Sequence, residues 1–152
     1  MKSVFQIIAA AACAMALVAC GGGGDSTPAA PVGVAPPTAL KIEEVAIGTG
    51  AEAVTGKTAG VRYTGYVYDG TRSDLRGAKF DSNVTAANPY TFVVNANPLG
   101  VITGFNNGVV GMKVNGKRVV TMPPSLGYGS SAQSGIPANS TLIFEIELVS
   151  IK

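Results

Sequence analysis

Histidine is absent from this sequence and cysteine occurs only twice. Without histidine the chain lacks the commonest general base and the commonest metal ligand. Both cysteines, Cys13 and Cys20, fall near the N-terminus, so the part of the chain that can fold has neither an internal disulfide nor a thiol nucleophile. Charge is scarce as well. The formal net charge is +2, and Lys117-Arg118 is the only pair of adjacent basic residues. No basic stripe follows from such a scatter, which excludes nucleic acid as a partner. The pattern contains no Ser-His-Asp set, no metal-ligand cluster, no phosphate loop and no internal repeat. No cofactor and no metal are expected.

What is present is enough apolar material for a real core. The chain has 152 residues, 47% of them hydrophobic, a length that fits one domain and a tail. The tail is N-terminal. Lys2 precedes an apolar run from Val4 to Ala19 broken only by Gln6. The run is short and alanine-rich, as in the apolar region of a secretory signal rather than a membrane span. Its end, Leu17-Val18-Ala19-Cys20, resembles the bacterial lipobox, which implies a lipoprotein signal peptide over residues 1–19 and a lipidated Cys20. Several acyl chains, at about 0.8 kcal/mol per buried methylene, make a stable anchor. Gly21, where some lipoproteins have aspartate, resembles the pattern of proteins sent to the outer membrane. Residues 20–38, rich in glycine and proline, then read as a tether.

The folded domain is expected over residues 39–152. Leu40 to Ile47 reads as a strand with an irregularity near Glu43-Glu44. Val61 to Tyr68 alternates, with Val61, Tyr63, Gly65 and Val67 on one face and Arg62, Thr64, Tyr66 and Tyr68 on the other. Asp69-Gly70 is a turn signal, and Thr71 to Lys79 is a polar excursion. Tyr90, Phe92 and Val94 alternate again. Phe105, Val109 and Met112 recur on one helical face, with Thr103 as the N-cap. Asn115-Gly116 marks a turn, and Lys117 to Met122 is a strand that Pro123-Pro124 cuts off. The last strand, Thr141 to Ile151, sets Leu142, Phe144, Ile146 and Leu148 inward, and Glu145 and Glu147 outward with Ile143 and Val149. The class is α+β: an antiparallel sheet of about five strands, bent and wrapped on one short helix.

The blocks VRYTGYVYDG, KFDSN, NPYTF, VITGFNNGVVGM, GKRVVTMPPSLGYG and IPANSTLIFEIEL, in this order and spacing, resemble the FKBP-type peptidyl-prolyl cis-trans isomerases over nearly the whole domain. The resemblance implies a strongly bent antiparallel sheet curled around a short helix, with an apolar pocket between them. It implies catalytic roles for Tyr63, Asp81, Phe105, Tyr128 and Phe144, and substrate binding by Phe80, Tyr90, Val101, Ile102 and Ile136. Phe105 stands where the family usually has a tryptophan at the pocket floor. The stretch from Val84 to Asn88 lacks the arginine that some members pair with the pocket aspartate, which leaves Asp81 either less restrained or paired with another residue, such as Tyr63. The loop from Ser130 to Gly135 is shortened, which leaves either Ile136 or Gly135 at the pocket mouth.

The implied function is isomerisation of prolyl bonds in the bacterial cell envelope, by a monomer that is lipid-anchored and faces the periplasm. Its partners would be proline-containing segments of envelope proteins, and macrolide inhibitors such as rapamycin. Two other classes stay open: a module that binds proline segments with little turnover, and a structural or chaperone-like envelope lipoprotein. If Cys20 carries the anchor, Cys20→Ser should release the protein from the membrane fraction or block its processing. Wild-type protein found entirely in the soluble fraction would exclude the anchor.

Overall fold

The computed structural model describes residues 33–152. The signal peptide, Cys20 and the tether up to residue 32 lie outside the described residues. Six strands form one antiparallel sheet: β1 Lys41–Ala46, β2 Thr58–Tyr68, β3 Arg76–Ser82, β4 Tyr90–Val93, β5 Lys117–Met122 and β6 Leu142–Ile151. The spatial order is β1-β5-β6-β2-β3, and β4 also pairs with β2. Among the described residues there is one α-helix, α1 Thr103–Val109, between β4 and β5 in the chain, and a 3-10 turn at Pro124–Leu126 follows β5. Among the described residues no helix is long and apolar enough to cross a membrane.

The alternation read from sequence sets the inner face of the sheet. Leu142, Phe144, Ile146 and Leu148 of β6 are buried and join Val61, Phe92, Phe105, Val109, Val120 and Met122 in one core. Glu145 and Glu147 point outward, where they pair with Arg76 at 2.7 Å and Lys117 at 3.4 Å. Ile143, on the outward face, is nonetheless buried, in a groove that Val34 and Pro37 also line. There the last part of the expected tether is held to the domain. The Val34 N–H donates to the Gly70 carbonyl at 2.8 Å, and the Tyr68 hydroxyl donates to the carbonyls of Val34 and Ala35 at 3.0 and 3.2 Å.

Three expectations change. The polar excursion Thr71 to Lys79 contains the start of a strand, β3, which begins at Arg76 and makes the sheet six-stranded. Hydropathy cannot show it, because backbone pairing to β2, Tyr66 with Lys79 and Tyr68 with Arg76, holds an edge strand that buries little. Thr103 is the first helical residue and not the cap. Ile102 takes that place in extended conformation without a side-chain bond, its carbonyl accepting the N–H groups of Phe105 and Asn106 at 3.1 Å each. The helix also ends at Val109, before Met112, because Gly111 turns the chain with φ of 74°. Met112 still reaches the core, at 2% exposure, from beyond the helix end.

A helix of seven residues is too short to be stable alone, so packing against the sheet must hold it. Its contact with β5 is close: a Cβ at Gly108 would lie 2.7 Å from Val120 Cγ2, and one at Gly104 2.6 Å from the Met122 sulfur. Gly108→Ala is therefore expected to cost about 1–3 kcal/mol by overpacking. Gly100→Ala, where nothing lies within 4 Å, should leave stability unchanged or slightly raised. Urea unfolding of both variants checks the contrast, and equal midpoints would refute it.

Candidate functional site

Between the inner face of the sheet and α1 lies a cavity of about 410 Å³. Its walls are Tyr63, Phe80, Asp81, Tyr90, Leu99, Gly100, Val101, Ile102, Phe105, Tyr128 and Phe144. Phe105 is at the centre, with its ring meeting Phe144 at 5.2 Å and Tyr63 at 5.4 Å, at interplanar angles of 81° and 78°. Behind it Phe92 packs at 5.7 Å, and above Phe144 the Phe80 ring packs at 5.5 Å and 81°. These edge-to-face contacts suit the ring quadrupoles. They also leave rings set at steep angles to one another, which form a cup rather than a flat stack. Phe105 is only 4% exposed, so one ring is both core and cavity floor.

Phe80 and Asp81 are consecutive, and on a regular strand they would point to opposite faces. Both line the cavity because β3 is bulged there. Gly65 pairs with Asp81 and Tyr66 with Lys79, so Phe80 is the extra residue. Its ring lies over Gly65, where a Cβ would come within 2.6 Å of Phe80 Cζ. No residue with a side chain fits at position 65 without moving that ring.

Asp81 is the only charged side chain in the lining. The Tyr63 hydroxyl donates to its Oδ2 at 2.6 Å and the Ser82 N–H to its Oδ1 at 2.8 Å. Tyr63 is thus the partner of Asp81. Burial first, and the hydrogen bond to Asp81 second, push the Tyr63 hydroxyl well above the ordinary tyrosine range. Burial, followed by the negative charge of Asp81, also pushes Tyr128 up. Both hydroxyls therefore remain protonated, able to donate, beyond neutral pH.

Of the residues singled out from sequence, the structure brings Tyr63, Phe80, Asp81, Tyr90, Val101, Ile102, Phe105, Tyr128 and Phe144 to this one cavity. Ile136 is the exception. It is 5% exposed and belongs to the core, fixed by paired backbone bonds with Gln133 at 2.9 and 3.0 Å. The short loop draws its side chain inward, away from the cavity lining. Cys20 lies outside the described residues. Sequence reasoning missed Leu99 and Gly100 of the rim, which sit in a loop without periodicity. It also missed Asn106, 1% exposed on α1, which holds that loop. Asn106 Oδ1 accepts the Asn95 N–H at 2.9 Å, and its Nδ2 donates to Asn95 Oδ1 at 2.6 Å. The helix carries two adjacent asparagines, Asn106 and Asn107, and nothing in the sequence separates the buried one from its neighbour.

A family model described as FKBP-type peptidyl-prolyl cis-trans isomerase matches residues 50–149. The "FK506-binding protein" of Neisseria meningitidis serogroup B is 42% identical over 113 residues, which is 74% of this chain and 95% of that protein. "FK506-binding protein 3" of Candida albicans is 44% identical over 110 residues, 72% of this chain but 24% of its own length. The chain thus spans about a quarter of that fungal relative. Among solved structures, FkpA from Escherichia coli superposes with a TM-score of 0.62 at 34% identity, over 80% of this chain and 52% of that one.

Because Phe105 is buried in the core apart from its cavity edge, Phe105→Ala should cost about 3 kcal/mol of stability, the lower end of the usual range. Phe105→Trp should change stability by less and bring the cavity floor into closer contact with a bound proline ring. Chemical unfolding of both checks this. An alanine variant as stable as wild type would mean that the ring is not core.

Proposed function

The chain belongs to the FKBP-type peptidyl-prolyl cis-trans isomerase family, and on that premise we propose that it catalyses the cis-trans isomerisation of prolyl bonds in exposed polypeptide segments. The observation that carries the proposal is the composition of the cavity: a cup of aromatic rings with one carboxylate and no histidine or cysteine.

Uncatalysed rotation about an X-Pro bond takes about 10–100 s, because twisting the amide breaks its resonance. No covalent bond has to form and no proton has to move. The twisted amide is less dipolar than the planar one, so transfer from water into an apolar cup favours it. Binding the twisted state more tightly than either planar isomer is then sufficient for catalysis. Tyr63, Phe105 and Phe144 would hold the proline ring, with Phe80 and Tyr90 flanking them. Ile102 and Tyr128 would hydrogen-bond the substrate backbone beside Val101. The Ile102 carbonyl is already occupied by the helix, which leaves its N–H for the substrate. Asp81, oriented by Tyr63, would act electrostatically near the substrate carbonyl and needs no proton of its own.

The same reading extends to macrolide ligands such as rapamycin, supported by relatives that are named FK506-binding proteins. Location in the bacterial cell envelope, lipid-anchored at Cys20, periplasm-facing and at the outer membrane, rests on residues 1–21 of the sequence. A monomer acting on proline-containing segments of envelope proteins fits a self-contained cavity built from one chain.

A protease-coupled assay on a proline peptide tests the proposal. Wild-type protein should accelerate isomerisation, and rapamycin should suppress it. Asp81→Ala should lower kcat/KM by about tenfold with an unchanged melting temperature, less than the ~10²–10³ typical of a lost oxyanion donor. With Tyr63 and Tyr128 both pushed upward, neither hydroxyl loses its proton below the ordinary tyrosine value of about 10. The rate should therefore be flat between about pH 7 and pH 9. No acceleration over the uncatalysed peptide would refute the isomerase reading, and a steep titration in that interval would refute the mechanism.

A further inference from the structure

Strand β2 has a gap in its outer edge, and the gap falls at Tyr63. On one side β6 pairs with it from Ala59 to Val67. On the other side β4 covers Thr58 to Val61 and β3 covers Thr64 to Tyr68. Arg62 and Tyr63 lie between these two partners. Backbone groups facing such a gap must be satisfied by something other than a strand.

Asn83, the residue after β3, fills it. Its Oδ1 accepts the Tyr63 N–H at 2.6 Å, and its Nδ2 donates to the Val61 carbonyl at 2.9 Å. Its own N–H donates to the Tyr63 carbonyl at 3.1 Å. The side-chain amide thus takes the place of a peptide group and satisfies β2 across the interval between its pairing with β4 and its pairing with β3. Alternation places Arg62 on the outward face, opposite Tyr63, and there its Nη1 donates to the carbonyls of Asn83, Val84 and Ala86 at 3.3, 2.9 and 3.0 Å. One guanidinium therefore ties down the connection that runs from Asp81 to Tyr90. The stretch Val84 to Asn88 carries no cation to do this from within.

We propose that Asn83 and Arg62 are positioning residues for the Tyr63–Asp81 pair, and that isomerisation depends on them through that pair. Asn83 sets the Tyr63 backbone at the gap and lies two residues from Asp81. Arg62 holds the Asn83 backbone from the other side of the sheet. Neither side chain is part of the cavity wall, so neither touches substrate. The hydroxyl–carboxylate bond of 2.6 Å joins two different strands, and its length depends on how those strands are joined. Displacement of about 1 Å in such a group can cost 10²-fold in rate.

The inference rests on the isomerase reading for its activity arm only. Asn83→Ala and Tyr63→Phe should each lower kcat/KM about tenfold, and Arg62→Met about threefold, a fraction of the loss that misplacement can cause. Residues that act through one another are non-additive. In the Tyr63→Phe background, Asn83→Ala and Arg62→Met should therefore cost little more. The second arm needs no turnover. The fraction of Tyr63 ionised at about pH 10.5, read from its ring resonances by NMR, should rise in Asn83→Ala and in Arg62→Met as the hydroxyl loses its hold on Asp81. Should Asn83→Ala fail to fold, Arg62→Met carries both arms, because the carbonyls it frees can turn to water. Multiplicative losses in the cycles, or a Tyr63 ionisation unchanged in the folded variants, overturn the proposal. A wild-type protein without turnover defeats the isomerase reading alone, and the ionisation arm then decides the positioning.

Discussion

The packing of Phe105 is the constraint on which the rest depends. Its ring sits edge-to-face with Tyr63 and Phe144 on the sheet and with Phe92 behind. Rings at such angles fill space well on one side, where they meet the aliphatic core, and poorly on the other, where they cannot close on each other. The concavity is therefore a product of the packing geometry. It requires the helix to lie nearly against β5, which the side-chain-free edges of Gly104 and Gly108 permit. It also requires β3 to yield an extra residue, so that Phe80 can extend the cup over Gly65. Sheet, helix and cavity are held by one set of contacts.

Such a cup has few polar features, and this suits a reaction that needs no proton transfer. Asp81 is held by a side chain from β2 and by the next N–H on its own strand. A carboxylate fixed in this way can present its field in one direction. The tyrosines around it are kept neutral by burial and by that same charge. They remain donors beyond neutral pH, and no histidine is needed to tune them.

The dipeptide Arg62-Tyr63 places its two side chains on opposite faces of one strand. Tyr63 enters the cavity, while Arg62 secures the connection behind it. Asn83 joins them at the backbone. This is a different solution from an arginine placed within the Val84–Asn88 stretch. It moves the restraint from the connection to the sheet, where the pleat already fixes which way each side chain points.

The sequence by itself determined the inward face of β2 and β6, the helix around Phe105 and the Asn115-Gly116 turn, while the set of aromatic residues that meet in the cavity came from the family resemblance. Face, helix and turn are local patterns, because periodicity and turn chemistry act over a few neighbouring residues. Only the tertiary structure decided what depends on partners distant in the chain. The first half of β3 has no hydrophobic alternation, because backbone bonds to β2 hold it. Phe80 and Asp81 share a face only because the register slips opposite Gly65. Ile136 turns to the core rather than the cavity because of how its short loop pairs with itself. Asn83 and Asn106 read as ordinary polar residues until the gap at Tyr63 and the loop at Asn95 are brought beside them. A side-chain amide has no period to betray it, and its role is set entirely by which unpaired backbone group the fold delivers to it.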